Sequence, residues 1–126
     1  AVDIMPTILD LANIEIPDGV LGASLKPALS GKPLPERAVS ITTSNHFSEK
    51  GAVSDMASIT DGVWTLHHRG NAEAWDLFNI EQDPKQQRNL AKEAREEAVR
   101  LHALYLEQIR KAGVRDEILA LRSKLP

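Results

Sequence analysis

Four histidines are the side chains of this 126-residue chain best suited to moving a proton or holding a metal near neutral pH. His67 and His68 are adjacent in a segment of strand-like composition. Neighbouring strand residues point to opposite faces, so the pair cannot converge on one ion without distorting the strand. His46 stands in a polar stretch, 44–54, beside Ser44, Asn45 and Ser48. Hydroxyl, amide and imidazolium donors of this kind can hold an oxyanion, which makes His46 and Asn45 the candidate substrate-cleft residues. His102 follows Leu101 inside a helical stretch and reads as a packing or surface residue.

The carboxylates are equally sparing. Asp3 and Asp10 lie two helical turns apart, but Asp3 is better explained as a helix cap than as half of an acid-base pair. Asp83 precedes Pro84 and fits a turn, and Asp76 follows Trp75 in a strand, so both read as structural. Trp64 and Trp75 alternate with polar neighbours and are placed to stack in a core or across a sheet. The chain has no Cys, which removes thiolate zinc sites, cysteine nucleophiles and disulfides. There is no Gly-rich phosphate loop, no nucleophile elbow and no H-E-x-x-H. The residues themselves nominate no catalytic group and no metal ligand.

The elements that must position these groups fit one ordinary domain of 13.9 kDa, 42% hydrophobic and 26% charged. A net charge of -3, from 18 acidic and 15 basic residues without a long run of either sign, gives no footprint for nucleic acid or an anionic membrane surface. No stretch approaches the roughly 20 apolar residues of a spanning helix.

Ile4, Ile8, Leu11 and Ala12 recur at helical spacing after Asp3, with Pro6 in the first turn and Asn13 fit to end the helix in a left-handed conformation. Pro17-Asp18-Gly19 and Gly22 impose turns, Ser24 to Ser30 allows another helical turn, and residues 31–35 break the chain. Residues 38–43 read as a strand. Strands over 56–60 and 63–68 flank Asp61-Gly62, which predicts a two-residue type I′ hairpin. Residues 74–78 make a fourth strand with Trp75 and Leu77 on one face. After Asp83-Pro84 the rest reads as helix: Ala94, Ala98, Leu101, Tyr105 and Ile109 form an apolar stripe, Gly113 ends it, and a last helix spans 115–123. The predicted fold class is α+β, a four-stranded antiparallel sheet packed against a long C-terminal helix and preceded by a short helix and a turn-rich segment.

Two segments resemble the sulfatases. Val2-Asp3-Ile4-Met5-Pro6-Thr7-Ile8-Leu9-Asp10-Leu11-Ala12-Asn13-Ile14, then Pro17 and Gly22-Ala23-Ser24-Leu25, is similar to the stretch that follows their catalytic core, roughly V-D-[IL]-x-P-T-[IL]-L-x-L-A-G-[IV], P, G-x-S-L. Trp75-Asp76-Leu77-Phe78-Asn79, Asp83-Pro84 and Asn89-Leu90-Ala91 resemble the family's closing signature. Asn13 in place of Gly, Ala23 in place of Arg and Gln86 in place of Glu are the departures.

The resemblance implies the C-terminal portion of a sulfatase: residues 1–35 as the end of the catalytic domain and its connection, and 36–126 as the C-terminal subdomain. It implies that the parent hydrolyses sulfate esters with a formylglycine, made in a C-x-P-x-R-like motif, and a divalent cation such as Ca²⁺. Those motifs lie upstream in the family, so no catalytic or metal-binding residue carries over, and this chain alone is expected to be inactive. The implied partner is the N-terminal catalytic domain, with self-association through the uncovered interface a further expectation. Two other readings remain at this point. One is a stand-alone anion- or carbohydrate-binding module using His46, Asn45 and Trp75; the other is the C-terminal part of a related phosphate-ester hydrolase.

Overall fold

A computed structural model describes residues 2–34, 36–43, 56–69 and 75–125. They fall into two compact units, Ala1–Glu36 and Arg37–Pro126. No described helix is long and apolar enough to cross a membrane.

The first unit holds α1 (Ile4–Leu11) and α2 (Lys26–Leu29). Pro6 enters in the first turn and is buried, and Asn13, at φ 55°, ends the helix in the left-handed region as its side-chain type allows. Asp3 occupies the cap position, but its carboxylate does not cap. Its own backbone is already helical, and Oδ1 instead accepts the Ala23 amide of the returning loop at 2.8 Å. The apolar stripe of α1 finds no core: Ile4, Met5, Ile8 and Leu11 are 51 to 60% exposed.

The second unit is a sheet of β1 (Ser40–Thr43), β2 (Ala57–Thr60), β3 (Trp64–His68) and β4 (Trp75–Asn79), in that spatial order and antiparallel throughout. The register sets Ile41, Ile59, Leu66 and Leu77 in one row and Ala57, His68 and Trp75 in the next, so one face of the sheet is apolar. Helix α3 (Arg95–Lys111) covers β2 and β3 with Ala98, Leu101 and Tyr105, and α4 (Asp116–Arg122) packs on α3. Ile59, Leu66, Leu77 and Leu101 are wholly buried, the concentration of apolar area that holds the sheet to the helix. The opposite face carries Ser58, His67 and Asp76 in register, with Thr65 beside Phe78.

Two further expectations need correction. The β2–β3 connection is not a two-residue type I′ turn: Asp61, Gly62 and Val63 lie between the strands, and only Gly62 has positive φ, 96°. The Asp61 carboxylate accounts for this, because Oδ1 accepts the amides of Val63 at 2.9 Å and Trp64 at 2.7 Å, and the Thr60 hydroxyl helps close the loop by accepting the Gly62 amide and donating to the Trp64 carbonyl. Helix also does not follow Pro84 directly. Asp83 Oδ2 accepts the Gln87 and Arg88 amides, Gln86 takes a left-handed φ of 54°, and regular helix begins only at Arg95.

A Cβ on Gly62 would meet nothing within 4 Å, so only the backbone conformation resists substitution. Gly62→Val should therefore lower the stability of this unit by about 1–2 kcal/mol, read as a reduced chemical-denaturation midpoint. An unchanged midpoint would contradict the hairpin geometry.

Asp61 also reaches across to α3, where its Oδ2 accepts a hydrogen bond from Arg100. Burial alone would push its carboxyl up, but the Trp64 and Val63 amides and the Arg100 guanidinium outweigh it and hold the pKa below the usual 3.8. The folded state thus binds the proton less readily than the unfolded chain. The stabilisation is complete above about pH 3.8 and fades as pH falls through the folded value. Asp61→Asn should be less stable than the parent chain at pH 6, with the gap narrowing toward pH 3 in urea melts. A gap independent of pH would contradict a role for the ionised carboxylate.

Candidate functional site

Of the residues singled out from the sequence, His46 and Asn45 lie outside the described residues. Trp75 is no ligand platform: it is 9% exposed on the helix-covered face of the sheet, with the Arg95 guanidinium 5.9 Å from its ring centre. His67 and His68 point to opposite faces, as adjacent strand residues must. His67 stands on the polar face, its Nε2 2.8 Å from Gln86 Oε1 and its ring 5.6 Å from Phe78. The left-handed turn at Gln86 delivers that amide to the histidine, a contact the sequence spacing did not disclose.

Asp76, next to His67 on β4, is held from both sides. Arg69 pairs with Oδ2 at 3.2 Å and the Asn89 amide donates to Oδ1 at 2.6 Å. Asn89 Oδ1 in turn accepts the Leu77 and Ala91 amides, so the Asp76…Asn89 part of the closing signature fastens the segment before α3 to β4. The side chains of the motif are committed to the fold.

The opening motif behaves in the same way. Thr7 Oγ1 donates to the Asp3 carbonyl at 2.6 Å and accepts the Leu25 amide at 2.9 Å. Ser24 Oγ donates to Asp10 Oδ2 at 2.6 Å, and Lys26 Nζ donates to the Asp10 carbonyl and to Oδ1. These bonds to Ser24 and Lys26 lower the Asp10 pKa and keep it ionised. Gly22 passes so close to the start of α1 that a Cβ there would lie 2.0 Å from the Val2 carbonyl oxygen. The D-x-x-x-T-x-x-D and G-x-S-L pieces are thus the two halves of one polar staple between α1 and the returning loop. Asp3 and Asp10 each have a structural partner, and neither is placed as a general acid or base.

The most buried polar cluster was not foreseen. His68 and His102, 1 and 4% exposed, stack with ring centres 4.9 Å apart and planes 16° from parallel, and the Tyr105 ring lies 5.9 Å from His68. His68 Nε2 meets the Lys124 carbonyl at 3.2 Å and His102 Nε2 meets the Arg122 carbonyl at 2.8 Å. Burial drives both imidazoles below their ordinary pKa and pushes the Tyr105 phenol up. Helical periodicity placed His102 next to the apolar stripe, but a partner on a distant strand leaves no local signal.

Among the described residues no group of three or more His, Asp or Glu side chains could hold a metal ion. Because the sequence also holds no C-x-P-x-R-like motif, with Cys or with Ser in first place, the described side chains do not fit the cation or the formylglycine implied by the resemblance, and no catalytic step follows from them. What the arrangement does is hold shape.

Residues 1–112 match the family model described as N-sulphoglucosamine sulphohydrolase, C-terminal. The chain is 28% identical over 93 residues to an N-acetylglucosamine-6-O-sulfatase of Bacteroides thetaiotaomicron, covering 71% of this chain and 17% of that protein. It is 32% identical over 94 residues to a Delta 4,5-hexuronate-2-O-sulfatase of the same bacterium, covering 72% and 19%. In fold it resembles the solved structure of a 2-O GAG sulfatase, with a TM-score of 0.78 and 22% identity over 98% of this chain and 28% of that one. The chain spans less than a fifth of the length of these curated relatives.

Proposed function

The chain belongs to the N-sulphoglucosamine sulphohydrolase C-terminal family, corresponding to the C-terminal portion of a sulfatase, and on that premise we propose that it is the structural, cleft-shaping part of an enzyme that hydrolyses sulfate esters of sugars. The observation that carries the reading is the family match over residues 1–112, in a chain where the motif side chains of Asp3, Asp10, Ser24, Asp76 and Asn89 are engaged in holding the fold. Two of the curated relatives are named for removing sulfate from a sugar unit, which supports a sulfated carbohydrate as the substrate class.

In this reading residues 1–35 are the end of the catalytic domain and its connection and 36–126 the C-terminal subdomain, close to the boundary between the two compact units at Glu36. The apolar side of α1, with Ile4, Met5, Ile8 and Leu11 exposed, is the surface expected to meet the rest of the catalytic domain. The stretch 44–54, with His46 and Asn45, contributes to the wall of the substrate cleft, where an imidazolium and an amide would complement a sulfate. Bond cleavage, cation and formylglycine belong upstream. The exposed helix face supports the interface, the order of the motifs supports the two portions, and the donor types of His46 and Asn45 support the cleft wall.

A direct test is turnover of an aryl sulfate. The 126-residue chain should give none above buffer, whereas the whole native polypeptide should give catalytic turnover and release inorganic sulfate. Turnover by the chain alone, or none by the whole polypeptide with aryl sulfates and sulfated sugars, would overturn the proposal.

A further inference from the structure

The stacked imidazoles of His68 and His102 join three elements that are distant in sequence. One ring comes from β3 and the other from α3, and each reaches a main-chain carbonyl of the closing segment, Arg122 at the end of α4 and Lys124 just beyond it. A carbonyl only accepts, so each Nε2 must carry the proton of a neutral ring. In His68 this leaves Nδ1 as the bare nitrogen, and Nδ1 is buried with no hydrogen-bond partner among the described residues. Adding a proton would place an N–H there with no well-formed acceptor, the ring's own main chain giving only the weakest of the contributions that act on it. A second proton, on His102, would set two cations face to face.

The surroundings do not compensate. The titratable and charged groups acting on these rings are each other, Tyr105 of α3 and Arg122 of α4, whose side chain is 4% exposed. The strand neighbours of His68 are Ala57 and Trp75, and among the described residues no carboxylate acts on either ring. The charged groups that act on the pair at acidic pH, the two rings themselves and Arg122, are positive. Yet the rings also link the sheet and α3 directly to the closing segment by hydrogen bonds.

We propose that the His68–His102 stack is an acid-sensitive latch that holds α4 and the residues after it against α3 and β3, and that protonating the stack releases this closing segment while the sheet stays folded. Both rings bind a proton less readily in the latched state than an exposed histidine does, so the released state gains protons first. The latch is complete above about pH 6.5, the ordinary histidine value, and weakens as pH falls from there toward the latched-state value. Each titrating imidazole raises the opening equilibrium by up to about tenfold per pH unit across that window.

Hydrogen exchange on the full chain reads this directly. After correction for intrinsic exchange rates, the amides of Ile118, Leu119 and Ser123, bonded to the carbonyls of Arg115 and Leu119, should lose about tenfold or more of their protection between pH 7.5 and 5. The β3–β4 ladder amides should keep theirs. Proton NMR of the ring hydrogens should show His68 and His102 titrating at the same midpoint as the loss. The paired substitution His68→Gln and His102→Gln keeps an amide donor for each carbonyl and removes the titration, so its α4 protection should not vary over this range. Protection of α4 that persists through both imidazole titrations would overturn the proposal, as would its loss together with the sheet or an acid loss retained in the paired variant. If that variant does not fold, coincidence or separation of the NMR and exchange midpoints in the unmodified chain decides the matter.

Discussion

Leu66→Ala should destabilise the sheet unit by about 2–5 kcal/mol, the largest effect expected of any single truncation in the chain. Leu66 is wholly buried at the centre of the sheet, paired with Ile59 on one side and Leu77 on the other, all three fully covered together with Leu101 of α3. Removing the side chain forfeits the transfer energy of its methyl groups and leaves a cavity that a sheet pinned on both edges cannot close. Relatives of this truncation at the margin of the core, such as Ile41→Ala on the partly buried β1, should cost less. A urea melt followed by tryptophan fluorescence measures the difference. Equal or reversed costs would mean that the core is centred elsewhere than between β3 and α3.

Gly22→Ala should be nearly as disruptive in the first unit, for a different reason. Its Cβ would sit 2.0 Å from the Val2 carbonyl oxygen and 2.6 Å from the carbonyl carbon, and both are main-chain atoms that no rotamer change can move. Relief requires the loop to withdraw from α1, and withdrawal breaks the Ala23–Asp3, Leu25–Thr7 and Ser24–Asp10 hydrogen bonds together. Overpacking of this kind costs about 3 kcal/mol, equivalent to about a 100-fold rise in local opening. Exchange at the amides of Thr7 and Ala12, which bond to Asp3 and Ile8 within α1, should accelerate accordingly. Unchanged exchange in the alanine variant would contradict the close approach.

These two sites show what kind of information the sequence carries openly. Alternation and helical spacing were enough to find the four strands, the face shared by Trp75 and Leu77, and the stripe from Ala94 to Ile109, because burial imposes those periods directly on residue type. Asn13 and Gly113 marked helix ends because a left-handed residue is needed there, at φ 55° and 74°. The errors arose where a polar side chain replaced a backbone device. The Asp61 carboxylate turned an expected two-residue hairpin into a three-residue loop, and Asp83 with Gln86 held off the helix expected after Pro84.

Site residues were less legible for a related reason. The partners of Asp3, Asp10 and Asp76 are the Ala23 amide, Ser24 with Lys26, and Arg69 with Asn89, and only folding brings them together. The stack of His68 on His102 joins a strand to a helix and leaves no spacing rule in the chain. The resemblance to sulfatases rested on motif order, and the structure supplies its physical content: the Asp, Thr, Ser, Gly and Asn positions of the motifs tie turns to helices and strands.

The most direct test of the account is the intact mass of the native polypeptide in its source cells, combined with peptide mapping upstream of Ala1. If the chain is the C-terminal part of a sulfatase, the native species is several times heavier than 13.9 kDa and yields an upstream C-x-P-x-R-like peptide in which the first residue has become formylglycine. A native mass near 13.9 kDa, with no upstream sequence, would contradict it.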